Sequence, residues 1–323
     1  MKPNVKDFGK VGVLYGGRSA EREVSLMSGQ GIYDALLSAG VDAHLFDTGR
    51  KSLGELIEAQ FDRVFLALHG RYGEDGSIQG ALELLNIPYT GSGPLSASLS
   101  MDKIMTKRIW GQAQLPTPRY RVLHSQADLV GLIDLLGLPL ILKAPNEGST
   151  LGLYKVTRAD DLEVAYQSAR QFDEVILAEE FIAGRELTVA MLGRGSEAQA
   201  LPVIEIKAPD GNYDYEHKYF SDDTQYLCPA PLSAAVAEKV QAVAVEAYRS
   251  VDAEGWARAD LMLDEAGGLW LLEINTTPGM TGHSLVPMAA KAAGIEYAEL
   301  CVRILSQASC KIGQYKKSLT EEE

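Results

Sequence analysis

The chain has 323 residues, 46% hydrophobic and 23% charged, which is ordinary for a globular protein of two or three domains. Its 30 basic and 44 acidic side chains leave a net charge of −14, which argues against nucleic acid or an anionic membrane as partner. Three scattered cysteines, Cys228, Cys301 and Cys310, make no disulfide framework. No run approaches the ~18 apolar residues of a membrane span, and residues 11–15 are too short for an export signal, so a cytoplasmic protein is expected.

In chain order, residues 1–100 alternate strand and helix, with strands at 11–15, 42–47 and 63–68 and helices at 23–39, 53–59 and 77–86. This pattern predicts a parallel βαβ sheet, whose ligands gather at the carboxyl ends of its strands. Gly16-Gly17 and His69-Gly70 fall at such ends. A second unit, 101–192, reads as helices at 101–112, 126–136 and 159–170 and strands at 120–123, 138–144, 153–156 and 174–181. Pro116 and Pro118 break the chain after its first helix. A third unit, 193–310, holds a strand region at 198–207, a polar loop at 208–231, a helix at 233–250, a hairpin and two closing helices at 285–293 and 297–308. A strand at 187–191 leads into it. The tail, 311–323, ends in three acids and is expected to be disordered. The class is α/β, with α+β parts.

The hairpin at residues 256–280, WARADLMLDEAGGLWLLEINTTPGM, is the richest segment. A turn at Ala266-Gly267 sets Asp260 opposite Glu273, and a turn at Gly267-Gly268 sets it opposite Asn275. Either register gathers Asp260, Glu273 and Asn275 on one face with Arg258, whereas a three-residue turn separates them. Two carboxylates at close range repel, and a hard cation such as magnesium relieves that conflict. A solvated hairpin face is the plainer alternative.

Four other segments stand out. The loop at 146–152, NEGSTLG, follows Lys143 and has the glycines and hydroxyls that cradle a polyphosphate, although a hairpin turn accounts for the glycines too. The acids of AEEFIAGRE, 178–186, leave a buried-looking strand and suit either an adenosine pocket or a solvated strand end. The loop HGRYGEDGS, 69–77, can fold tightly around a small ligand, with His69 structural or functional. The segment YDYEHKYFSDDTQ, 213–225, is long and polar enough to be a lid.

Taken together these segments resemble the D-alanine–D-alanine ligases of the ATP-grasp superfamily. The resemblance rests on GGRSAEREVSL at 16–26, HGRYGEDGSIQG at 69–80, Met101-Asp102-Lys103, the loop after Lys143, YDYEHKY at 213–219, and RADLMLD with EINTTPGM. They occur in family order along nearly the whole chain. The resemblance implies an ATP-grasp architecture behind the N-terminal βαβ domain, and ATP-dependent joining of two D-alanines through an acyl phosphate. By the same resemblance, Asp260, Glu273 and Asn275 hold two magnesium ions, for which manganese can substitute. Lys103, Lys143 and Lys218 meet the triphosphate, and Glu179, Glu180, Ile182 and Glu186 line the adenosine pocket. Arg258 stabilises an oxyanion. Glu21, Ser149 and Tyr219 clamp the first D-alanine near His69. Gly279, Ser284 and Leu285 receive the second. Tyr219 favours an amine over a hydroxy-acid nucleophile, and a homodimer is implied. The alternatives are another carboxylate–amine or D-hydroxy-acid ligase, or an inactive nucleotide-binding module that would lack one of the metal or arginine positions.

Overall fold

The architecture follows from three sheets, each built where apolar strands can be covered by helices. It is seen in a computed structural model that describes residues 4–148, 152–207 and 224–312. The first sheet holds β1 (Lys10–Tyr15), β2 (Asp42–Asp47) and β3 (Arg63–Leu66), all parallel, in the order β2-β1-β3. The four central residues of β1 are all buried, as expected of a strand covered on both faces. Helix α1 (Arg22–Ser38) covers one face, and α2 (Leu53–Glu58) and α3 (Ser77–Leu85) cover the other. The next helices, α4 (Pro94–Met101) and α5 (Lys103–Gln112), meet at Asp102, whose carboxylate accepts from the Ile104 and Met105 amides at 2.9 and 3.1 Å and caps α5.

The second sheet is antiparallel, in the order β4-β7-β5-β6, with β4 (Tyr120–Leu123), β5 (Leu140–Lys143), β6 (Tyr154–Val156) and β7 (Ile176–Glu180). Helices α6 (Leu132–Leu136) and α7 (Leu162–Ala169) pack on it. The helix expected at 126–136 is split into a single 3₁₀ turn and α6, because Gly131 adopts φ +70° between them. Helix α4 was not expected, since its serine-rich sequence carries no apolar period; Pro94 at its first turn starts it instead.

The third sheet runs β11-β10-β8-β12-β13, with β9 (Gln199–Ala200) on β8. Its strands are β8 (Gly184–Arg194), β10 (Ile204–Lys207), β11 (Gln225–Leu227), β12 (Glu254–Asp264) and β13 (Leu269–Asn275). Helix α8 (Ala234–Ser250) covers one face together with Trp110 of α5. Helices α9 (Leu285–Ala292) and α10 (Tyr297–Leu305) share a core with α1, β1 and Trp256, so this core ties the first sheet to the third. The expected boundary after residue 192 falls inside β8, whose pairing with β12 runs from Gly184 to Arg194. No helix among the described residues is long and apolar enough to cross a membrane.

Candidate active site

The hairpin supplies one wall. Asp264 N donates to Gly268 O at 3.0 Å, so the connection is the three residues Glu265, Ala266 and Gly267. That is the case expected to separate the faces. The strands correct it with a register shift: Leu261 pairs with Leu271, but Asp260 pairs with Glu273 and Arg258 with Asn275. Leu272 is therefore an extra residue, a β-bulge. It lets Leu271 and Ile274, three apart, both enter the core while Glu273 and Asn275 stay on the Asp260 side. Arg258 grips Asp260 at 2.8 and 2.7 Å, Thr188 of β8 donates to it at 2.6 Å, and Asn275 Nδ2 donates to it at 3.3 Å. Lys103 Nζ lies 3.1 Å from Glu273. Two carboxylates and an amide thus share one face, with Arg258 beside Asp260 and Lys103 beside Glu273, and these oxygens could hold a hard divalent cation.

The first sheet supplies the opposite wall through three serines of the GGRSAEREVSLMS segment. Ser25 accepts from Gly16 N at 2.9 Å and donates to Ala67 O at 2.6 Å. Ser19 donates to His69 O at 2.7 Å and accepts from Glu21 N at 3.2 Å. Ser28 accepts from Met280 N at 3.1 Å and lies 3.1 Å from His69 Nε2. His69 Nδ1 lies 2.9 Å from Thr277 O, which can only accept, so Nδ1 carries the proton and Nε2 accepts from Ser28. Burial lowers the His69 pKa, outweighing the Glu21 carboxylate nearby, and the ring is a neutral strut between α1 and the loop after β13. Glu21 is almost buried between two glycines: a Cβ on Gly70 or Gly148 would come within 2.8 or 3.0 Å of its Oε2.

These walls enclose a cavity of about 140 Å³ lined by Glu21, His69, Arg258, Glu273 and Asn275, and by Gly279, Ser284 and Leu285 at the start of α9. A Cβ on Gly279 would lie 2.9 Å from Ser284 Oγ, and Ser284 Oγ accepts from Thr281 N at 2.9 Å. Glu74 lines the same cavity and accepts from Gly70 N at 2.9 Å; burial, then the Glu21 charge, pushes its pKa up to about 8. Sequence reasoning passed over Glu74, although an acid inside a three-glycine loop was the available signal. A larger groove of about 1080 Å³, between β8 and α10, holds none of the expected residues.

Beyond Glu273 lie the lysines. Lys103 also donates to Glu147 O at 2.9 Å, tying α5 to the glycine-rich loop. Burial works to lower its pKa, but the Glu273 carboxylate raises it further, and Lys103 is held above its ordinary value. Lys143 of β5 pairs with Glu179 of β7 at 2.6 Å, and Lys107 of α5 pairs with the other Glu179 oxygen at 2.7 Å. Burial would raise the Glu179 pKa; the two lysines overcome that and lower it. Glu180 faces the other way, toward Arg119 at 2.7 Å. Ile182 and Glu186 follow on the connection and strand that join the second sheet to the third. Lys107, fully buried, was missed by sequence reasoning; its position one helical turn after Lys103 was the signal. Ser149, Lys218, Tyr219 and most of the expected lid lie outside the described residues.

Comparison with known proteins agrees along most of the chain. Residues 47–92 match the family model for the D-ala D-ala ligase N-terminus, and residues 109–306 match that for its C-terminus. A D-alanine–D-alanine ligase of Bordetella petrii is 67% identical over 311 residues, 96% of this chain and 95% of that protein. One from Bordetella pertussis is 68% identical over 307 residues, 95% of this chain and 97% of that protein. The crystal structure of the Bacillus anthracis D-alanine–D-alanine ligase complexed with ATP superposes with a TM-score of 0.80 at 32% identity, covering 92% of this chain and 96% of that one. With two family models in order, relatives at this identity and the same three-sheet ATP-grasp architecture, the chain belongs to the D-alanine–D-alanine ligase family.

Proposed function

We infer that the protein joins two D-alanines to D-alanyl-D-alanine at the expense of ATP, releasing ADP and phosphate, for peptidoglycan precursors in a bacterial cytoplasm. The observation that carries this reading is one cavity with two unlike walls. Glu21 and His69 come from the first sheet, and Arg258, Glu273 and Asn275 come from the hairpin. Family membership supplies the substrate class.

A carboxylate is a poor electrophile. One oxygen of the first D-alanine attacks the γ-phosphorus of ATP, ADP departs, and an acyl phosphate forms. The deprotonated amine of the second D-alanine then attacks the acyl carbon, and the C–O bond to phosphate breaks as the peptide bond forms. Such chemistry needs positioning and charge neutralisation more than covalent help. Glu21 holds the first ammonium, with Ser149 and Tyr219 completing the clamp beside His69. Gly279, Ser284 and Leu285 seat the second D-alanine, its carboxylate toward the start of α9. Arg258, gripping Asp260 on the cavity wall, stabilises the oxyanion of the tetrahedral adduct. Lys103, Lys143 and Lys218 lie along the triphosphate, and Glu179, Glu180, Ile182 and Glu186 surround the adenosine side. Asp260, Glu273 and Asn275 would hold two magnesium ions, or manganese in their place, which would neutralise phosphate charge. The chain works as a homodimer.

The test is ADP release from ATP and magnesium with D-alanine, with L-alanine, and with D-alanine plus D-lactate, followed by mass analysis of the product. ADP release that requires D-alanine and yields the D,D-dipeptide is expected. Release with D-alanine absent, or a product containing lactate in preference to a second alanine, would overturn the substrate assignment.

A further inference from the structure

Between the lysine expected at the phosphates and the hairpin expected at the metal runs a chain of buried ion pairs and half-buried hydrogen bonds. It starts at Lys143 on β5, whose ammonium lies 2.6 Å from Glu179 Oε2. Glu179 Oε1 lies 2.7 Å from Lys107 Nζ. Lys107 Nζ donates in turn to Thr117 Oγ1. Thr117 Oγ1 donates to Leu271 O at 2.8 Å. The amide of the same residue, Leu271, donates to Pro116 O at 2.9 Å. Leu271 is the residue next to the extra Leu272, where the register shifts to set Glu273 opposite Asp260. Both backbone groups of the bulge are thus held by the segment that follows α5.

The donors and acceptors fit in only one sense. A carbonyl can only accept, so the Thr117 proton points at Leu271 and its lone pairs face Lys107. An ammonium can only donate, so Lys107 fits there with no ambiguity of orientation. Lys107 is fully buried and Glu179 is 3% exposed, so neither charge is balanced by water. Were Lys107 neutral, Glu179 would depend on Lys143 alone, and a lysine so claimed is less available to a phosphate. Helix α5 therefore serves both acids from one face, Lys103 to Glu273 and Lys107 to Glu179, one turn apart.

We propose that Lys107 and Thr117 are positioning residues that fix the phosphate-side lysine and the metal-side hairpin as one unit, so that Lys143 and Glu273 keep their spacing. This rests on the reading that Lys143 and Glu273 meet nucleotide and metal. Neither Lys107 nor Thr117 lines the cavity; they act through Glu179 and Leu271.

The experiment compares the unchanged protein with Thr117→Val, Thr117→Ser and Lys107→Met. Binding of a non-hydrolysable ATP analogue with magnesium is measured by calorimetry, alongside KM for ATP, KM for D-alanine, kcat and the melting temperature. Thr117→Val keeps the volume and loses the hydroxyl. It should weaken analogue binding and raise KM for ATP on the order of fivefold, about 1 kcal/mol, with KM for D-alanine unchanged. Thr117→Ser retains the hydroxyl and should stay within twofold of the unchanged protein. Lys107→Met should weaken analogue binding on the order of tenfold or more. Thr117→Val that melts lower yet binds the analogue as the unchanged protein does would show a structural role only and overturn the proposal. Loss in Thr117→Ser equal to that in Thr117→Val would overturn it as well. Absence of analogue binding by the unchanged protein would instead overturn the functional reading, and the proposal with it.

Discussion

At the scale of single residues, the site is held by charges and protons whose direction is dictated by their partners. His69 is the clearest case. Its Nδ1–H meets the Thr277 carbonyl and its Nε2 accepts from Ser28, so a second proton on the ring would force the Ser28 hydroxyl to turn its own proton away. Its pKa is lowered from an ordinary value of 6.5, mainly by burial. Below that value the unfolded chain binds a proton that the folded one refuses, so stability falls as pH falls. The melting temperature should therefore drop more steeply from pH 7.5 to 5.5 in the unchanged protein than in His69→Asn, which keeps a donor but does not titrate; parallel slopes would refute this. Burial and the Glu21 charge push the Glu74 pKa up to about 8, which favours its neutral form beside the Glu21 carboxylate.

At the scale of elements, α5 carries more of the site than its ten residues suggest. Asp102 caps it with two hydrogen bonds, and the first turn then delivers Lys103 to Glu273. Asp102→Ala should cost about 1 kcal/mol of stability and raise KM for ATP, because the fraying turn is the one that carries Lys103. Asp102→Asn should restore most of both, since it can accept the same bonds. Equal KM values in Asp102→Ala and the unchanged protein, with lowered stability, would separate the cap from the site. The β12–β13 hairpin shows a similar economy, for one extra residue, Leu272, bends β13 so that core and site faces can both be occupied.

At the scale of the whole molecule, the question is what keeps Glu21 and His69 facing the hairpin. The first sheet meets the third at a backbone contact too close for any side chain. Gly255 in β12 has φ +76°, and a Cβ there would come within 2.9 Å of Gly91 Cα and N. Around it, Glu254 N donates to Ser92 Oγ at 3.1 Å, and Phe65 packs on Trp256 with ring centroids 5.4 Å apart. The segment after α10 adds a strap. Lys311 pairs with Glu254 at 3.6 Å, and Glu83 of α3 accepts from the backbone amides of Lys311 and Ile312 at 2.5 and 3.1 Å. Gly255→Ala should lose on the order of 2 kcal/mol to the left-handed backbone, with further loss from the Gly91 contact. It should also raise KM for D-alanine by displacing the first sheet. A variant that melts normally and keeps its KM would show that the two sheets adjust around the contact.

What the sequence determined by itself is the kind of structure and the kind of chemistry. The apolar runs at 11–15, 42–47 and 63–68 encode the parallel sheet, since each is local, although the third strand ends at Leu66. Alternation with a two-residue turn predicts the grouping of Arg258, Asp260, Glu273 and Asn275, and the grouping is found although the turn has three residues. The manner in which it held could not be read. Whether a strand bulges depends on partners distant in sequence, here Pro116 and Thr117 at Leu271, about 155 residues away. The same is true of Lys107, Ser28 and Glu74. The spacing of Lys107 from Lys103 and the glycines around Glu74 mark those two residues in the sequence, but only burial against groups from other elements gives each of the three its role. Residue type sets what a side chain can donate, accept or neutralise, but the tertiary structure decides which of those capacities is used, because desolvation and pairing are properties of a place.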